Sequence, residues 1–131
     1  MLLDTDLCIG VLRRRPQALA WLRSRTPDLM LVSTITVFEL QRGVAGAHDP
    51  QAEQRRVDIV LKPMVIAPFD VQAALRAGQV ASTLERIGKG IGPFDALLAG
   101  HALALNDTLV TANVREFNRV EGLRVEDWSQ E

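Results

Sequence analysis

Leu29-Met30-Leu31-Val32-Ser33-Thr34-Ile35-Thr36-Val37-Phe38-Glu39-Leu40 is the stretch that decides the fold. Its aliphatic opening reads as a short buried strand, Leu29–Ser33. A helix, Thr34–Arg42, follows without a linker, and Gly43 serves as its stop. The same alternation recurs on either side. Met1–Leu3, Met64–Ala67, Thr108–Thr111 and Leu123–Val125 are short, aliphatic and bounded by turn formers or charges. Between them lie helical patterns at Pro16–Arg25, Pro50–Leu61, about Val71 to Ile87 with Asp70 as N-cap, and Ala96–Leu105, opened by Asp95. Strands alternating with helices predict an α/β three-layer sandwich: a central, mainly parallel sheet of about five strands flanked by helices. Two helices separate the second and third strands. The chain, residues 1–131, reads as one domain.

Composition narrows the function. The 131 residues are 47% hydrophobic with a net charge of −1, and the mean hydropathy is +0.07. These values suit a folded globule and exclude a uniformly basic nucleic-acid surface, though not a local one. No apolar run is long enough to span a bilayer, and Asp4 and Asp6 come too early for a signal peptide, so a cytoplasmic protein is expected. Cys8 is the single cysteine, which leaves neither an intramolecular disulfide nor a thiolate metal cage. His48 and His101 are the only histidines; His48 reads as a solvated loop residue and His101 as a structural residue within an apolar helix. Of 15 basic residues only Lys62 and Lys89 are lysines. Arginine suits bidentate phosphate contacts, but it also follows genomic composition. Arg13-Arg14-Arg15 reads equally as a solvated helix end or as an RNA contact.

Three acids stand where strands end or helices begin. Asp4 closes the first strand, Glu39 lies in the helix after the second, and Asp95 opens an apolar helix after Pro93. A parallel sheet gathers such positions along one rim. Crowded carboxylates repel one another unless a cation sits among them, and an all-oxygen cluster suits Mg²⁺ or Mn²⁺. Each acid also has a local explanation. Asp4 serves as a helix cap worth roughly 1 kcal/mol, Glu39 as an i,i+3 partner of Arg42, and Asp95 as a first-turn acid on the helix dipole. Their coincidence favours a site. Leu109-Val110-Thr111-Ala112-Asn113-Val114-Arg115-Glu116-Phe117 would overhang the same rim. Thr111 and Asn113 are placed to hydrogen-bond a carboxylate or a water, and Arg115 to touch phosphate. An ordinary Asn-centred turn with an exposed Arg-Glu pair explains that block as well.

The ordered set of blocks resembles the VapC-type PIN-domain ribonucleases, toxins of bacterial toxin–antitoxin pairs. It comprises Leu2-Leu3-Asp4-Thr5 with Cys8-Ile9, Ser33-Thr34-Ile35-Thr36 with Glu39-Leu40, and Ile91-Gly92-Pro93-Phe94-Asp95 with Ala99-Gly100-His101-Ala102. Leu109-Val110-Thr111, Asn113, Arg115-Glu116-Phe117 and Gly122-Leu123-Arg124-Val125-Glu126-Asp127-Trp128 complete it. The resemblance spans nearly the whole chain. It implies a PIN-like sandwich and a Mg²⁺- or Mn²⁺-dependent endoribonuclease leaving 5′-phosphates. Asp4 and Asp95 would be metal ligands and Glu39 would complete the triad, with Asn113 and Glu116 supplying further catalytic groups and Arg115 and Thr111 meeting the RNA. Ala112 stands where relatives commonly have Asn, and Asp6 where Asn or Ser is common.

A haloacid-dehalogenase-like phosphatase would match Asp4-Thr5-Asp6 but wants Gly-Thr next and a catalytic lysine. A receiver domain needs a lysine after its last strand, and none follows Lys89. An inactive α/β binding module is the third alternative. The resemblance further implies a cognate antitoxin; the helices Pro16–Arg25 and Pro50–Leu61 offer a groove for its C-terminal segment, and Ala74, Gly78 and Ala81 offer a homodimer seam, although the same small residues pack equally well inside a monomer.

Overall fold

The computed structural model describes residues 1–25 and 29–129. Its elements, in chain order, are β1 (Leu2–Leu3), α1 (Thr5–Leu12), α2 (Pro16–Ser24), β2 (Leu31–Ser33), α3 (Thr34–Ala45), α4 (Pro50–Leu61), β3 (Val65–Ala67), α5 (Val71–Arg86), α6 (Pro93–Leu105), β4 (Leu109–Thr111), α7 (Val114–Phe117) and β5 (Val125–Asp127). The strands form one sheet in the order β3-β2-β1-β4-β5. Every pairing in it is parallel, with Leu3 beside both Val32 and Val110.

Side chains alternate across the sheet and split the core in two. Leu3, Val32 and Val110 face the layer of α1 to α4, where they meet Leu7, Trp21, Leu40, Val57 and Trp128. Leu2 and Leu109 face the other way, against Val80, Leu84, Leu98 and Phe117. This is the three-layer α/β sandwich expected, with the two apolar layers fixing the strand register. On the second face α5 and α6 pack backbone to backbone. A Cβ at Gly100 would lie 2.3 Å from the Ala77 backbone, so this crossing requires glycine.

Several boundaries differ from the sequence expectation. α6 begins at Pro93, two residues before Asp95, and α1 begins at Thr5, directly after its cap Asp4. α3 continues through Gly43 to Ala45, since buried Val44 holds the extra turn against the core. β2 starts at Leu31, with Leu29 left 64% exposed. The last strand is displaced from Leu123–Val125 to Val125–Asp127. Gly122, at φ +82°, turns the chain first. Polar Glu126 is then accommodated by accepting hydrogen bonds from Trp21 Nε1 and from Arg25. The small residues of α5 divide between two faces. Ala73, Ala77, Val80 and Leu84 are buried, whereas Ala74 and Gly78 point outward.

Candidate active site

β1, β2 and β4 end side by side, so the residues after them share one rim. Asp4 follows β1, Glu39 lies in the second turn of α3, Asp95 in the first turn of α6, and Asn113 and Glu116 follow β4.

Asp4 does two jobs. Its Oδ1 accepts the Leu7 N–H at 2.8 Å as the cap of α1, and the Thr111 side chain hydrogen-bonds the same carboxylate. Burial pushes its pKa up from 3.8 to about 7; those two bonds oppose the rise, and the charges of Asp6 and Asp95 add to it. Beneath it Cys8 is wholly buried. Burial first, and the Asp4 charge second, push the thiol up, so it stays a protonated core residue.

Asp95 is half-buried. Burial, then the charges of Glu116, Asp6 and Glu39, raise its pKa from 3.8 to about 6, and a hydrogen bond shared with Glu116 raises it further. Asn113 Nδ2 donates to Glu116 Oε2 at 2.9 Å. Glu39 is fixed from α1: Thr5 Oγ1 donates to its Oε1 at 2.7 Å, and Thr36 Oγ1 stands 3.0 Å from the same Thr5 hydroxyl. Arg42, expected to pair with Glu39, instead lies over the rings of Phe38 and Phe94, 5.7 and 5.5 Å from their centroids.

Carboxylates from four separate segments thus act on one another's charge. They repel in the manner that a hard divalent cation relieves, and the donors are all oxygen, so the residues fit Mg²⁺ or Mn²⁺. No three His, Cys, Asp or Glu side chains among the described residues are yet drawn in to ligating spacing; Asp95 leans on Glu116 instead.

Thr111, read from sequence both as a hydrogen-bond partner of a carboxylate or water and as an RNA contact, is fully buried. It bonds Asp4 and accepts the Asn113 N–H at 3.0 Å, so it supports the site from below. Arg115 is exposed on α7. Arg13 is engaged by buried Glu53 at 2.9 Å. His101 is buried, its Nδ1 2.9 Å from the Ser33 hydroxyl that caps α3. Burial holds its pKa down against the opposing influence of Asp70 and the Pro68 carbonyl. It is a structural residue. Thr5 and Thr36 went without a role in the sequence. The available signals were their positions, Thr5 directly after a strand-end acid and Thr36 one helical turn before Glu39.

The PIN domain profile matches residues 1–123. A tRNA(fMet)-specific endonuclease VapC from Salmonella typhimurium is 34% identical over 127 residues, covering 97% of this chain and 96% of that protein. Ribonuclease VapC2 of Rickettsia felis is 33% identical over 133 residues, 98% of either chain. Among solved structures, VapBC2 from Rickettsia felis bound to a promoter DNA fragment superposes with a TM-score of 0.90 at 32% identity, covering 97% of both chains. DNA-bound VapBC from Salmonella typhimurium gives 0.89 at 34% identity, covering 97% of this chain and 96% of that one. The fold is therefore that of a PIN domain. Within that class, the chain belongs to the VapC family of ribonucleases.

Proposed function

We propose that this chain is a divalent-metal-dependent endoribonuclease, the toxin half of a toxin–antitoxin pair acting in the cytoplasm. The observation that carries the reading is the meeting of Asp4, Glu39, Asp95 and Glu116 on one rim with two pKa values forced upward by burial and mutual repulsion. Asp4, Asp95 and Glu39 would hold Mg²⁺ or Mn²⁺, which would supply charge neutralisation at the scissile phosphate and activate a water. The protein's own share is positioning. Thr111 and the Leu7 N–H hold Asp4, Thr5 holds Glu39, and Asn113 orients Glu116. A cation held there would offset the repulsion by which burial and the charges of Glu116, Asp6 and Glu39 raise the Asp95 pKa. Arg115, exposed beside these groups, meets the RNA backbone.

The substrate is RNA with unpaired stretches, tRNA included, since the Salmonella relative is a tRNA(fMet)-specific endonuclease. The partner is a cognate antitoxin seated between α2 and α4, as the structural neighbours are VapBC complexes. A homodimer uses the outward face of α5, where Ala74 and Gly78 are exposed. The test is cleavage of a purified tRNA pool with Mg²⁺, with Mn²⁺, with EDTA, and with Asp4→Asn or Asp95→Asn. Metal-dependent cuts bearing 5′-phosphates, lost in both variants, are expected; cleavage undiminished in EDTA would overturn the mechanism.

A further inference from the structure

Near the carboxylates two rings stand together, Phe38 exposed and Phe94 half-buried. Phe38 and Phe94 stack with centroids 5.8 Å apart and planes 30° from parallel. Phe38 is 52% exposed, an unusual degree for a large apolar side chain in a well-packed domain. Arg42, one turn beyond Phe38 on α3, lies over both rings. Each ring is the chain neighbour of a site acid: Phe38 precedes Glu39 and Phe94 precedes Asp95. Phe38 and Phe94 thus sit in the same helical turns as two of the site acids.

We propose that Phe38, Phe94 and Arg42 form a stacking platform that grips one unpaired nucleobase of the RNA beside the scissile phosphate, a specificity element that rests on the nuclease reading above. The physical need is clear. A rim with five acids, Asp4, Asp6, Glu39, Asp95 and Glu116, repels a polyanion, and the substrate must be held by something other than those groups. A π-face accepts any base without meeting the phosphate charge. Arg42 is available there because it does not pair with Glu39: its guanidinium caps the rings and faces the phosphate that follows the stacked base. A protein partner would also cover an exposed ring. The flanking of both rings by site acids, and the cation over them, favour RNA.

The experiment uses the full chain and a single-stranded oligoribonucleotide that it cleaves, with one abasic nucleotide stepped through each position. Cleavage kinetics are read for the wild type, Phe38→Leu and Phe38→Trp; binding is read by anisotropy with cleavage blocked by Asp95→Asn. Phe38→Leu is expected to raise KM by about tenfold, with kcat changed far less, as base–aromatic stacking energies imply. Phe38→Trp restores it. One abasic position raises the wild-type KM similarly and adds nothing in Phe38→Leu. Penalties that simply add, or a KM unmoved by Phe38→Leu, would overturn the platform. An unmoved KM with an altered mass in solution assigns the rings to a protein contact and overturns it too. Phe38-dependent, abasic-sensitive binding without any cleavage would keep the platform and sink the nuclease reading; cleavage without that coupling does the reverse.

Discussion

Replacing Asp4 by asparagine should stabilise the metal-free protein while abolishing its activity. Asp4 is 4% exposed, and its pKa stands at about 7 where an ordinary aspartate has 3.8. Between those values the folded protein binds a proton that the unfolded chain does not. Stability therefore falls as pH rises through this window and levels off above about 7. A gap of about three pH units, at about 1.4 kcal/mol each, amounts to about 4 kcal/mol of penalty at pH 8. Asparagine removes the charge but keeps the oxygen that caps α1, since Asn and Asp cap equally well. It can also still bond Thr111. The assay is urea unfolding in EDTA at pH 5, 6.5 and 8 for the wild type and Asp4→Asn. The variant should gain about 2–4 kcal/mol at pH 8, with the gain shrinking towards pH 5. Adding Mn²⁺ should raise the wild type and leave the variant nearly unmoved. A variant destabilised by the same amount at every pH would refute the reasoning, for it would mean that Asp4 acts on stability only as a cap.

Thr5→Val deletes the 2.7 Å bond to Glu39; activity or Mn²⁺ affinity should drop by roughly 10–100-fold with the melting temperature nearly kept, measured by metal titration and thermal melting. Gly100→Ala drives a methyl into the Ala77 backbone and should lose about 1–3 kcal/mol in urea unfolding. Glu53 is held below its ordinary 4.5: burial pushes it up, but the bonds and charges of Arg13 and Arg56 outweigh that. Its contribution is present above pH 4.5 and lost as pH falls through the depressed value, so the stability gap between wild type and Glu53→Gln should close in acid, and a pH series of unfolding curves checks it.

The parallel sheet was readable because every strand is short, aliphatic and followed by a helix signal, and because acids mark where strands hand over to helices. Asp70 as the cap of α5 held for the same local reason. What sequence did not show was decided across the sheet. β5 slid by two residues because Trp21 and Arg25, a hundred residues away, accept a charged Glu126 in a strand. Gly43 failed to stop α3 because buried Val44 outweighed a cost of about 1 kcal/mol. At the site, the acids were visible as charges at element ends, whereas Thr5 and Thr36 were not. A hydroxyl announces itself only through its partner, and the partner of Thr5 sits 34 residues on. Thr111 was noticed, but its burial is a tertiary fact that no spacing reveals.

The central strand has a temporal consequence. β1, made first, lies between β2 and β4, and β4 is made last but one among the strands. Until residues 109–116 have left the ribosome, Asp4 lacks its Thr111 brace and Asp95 lacks Glu116. The nascent polypeptide thus carries Asp4 throughout, yet its acidic rim is incomplete until these residues emerge. A ribonuclease of this topology completes its acidic rim only as the last residues of the sheet emerge.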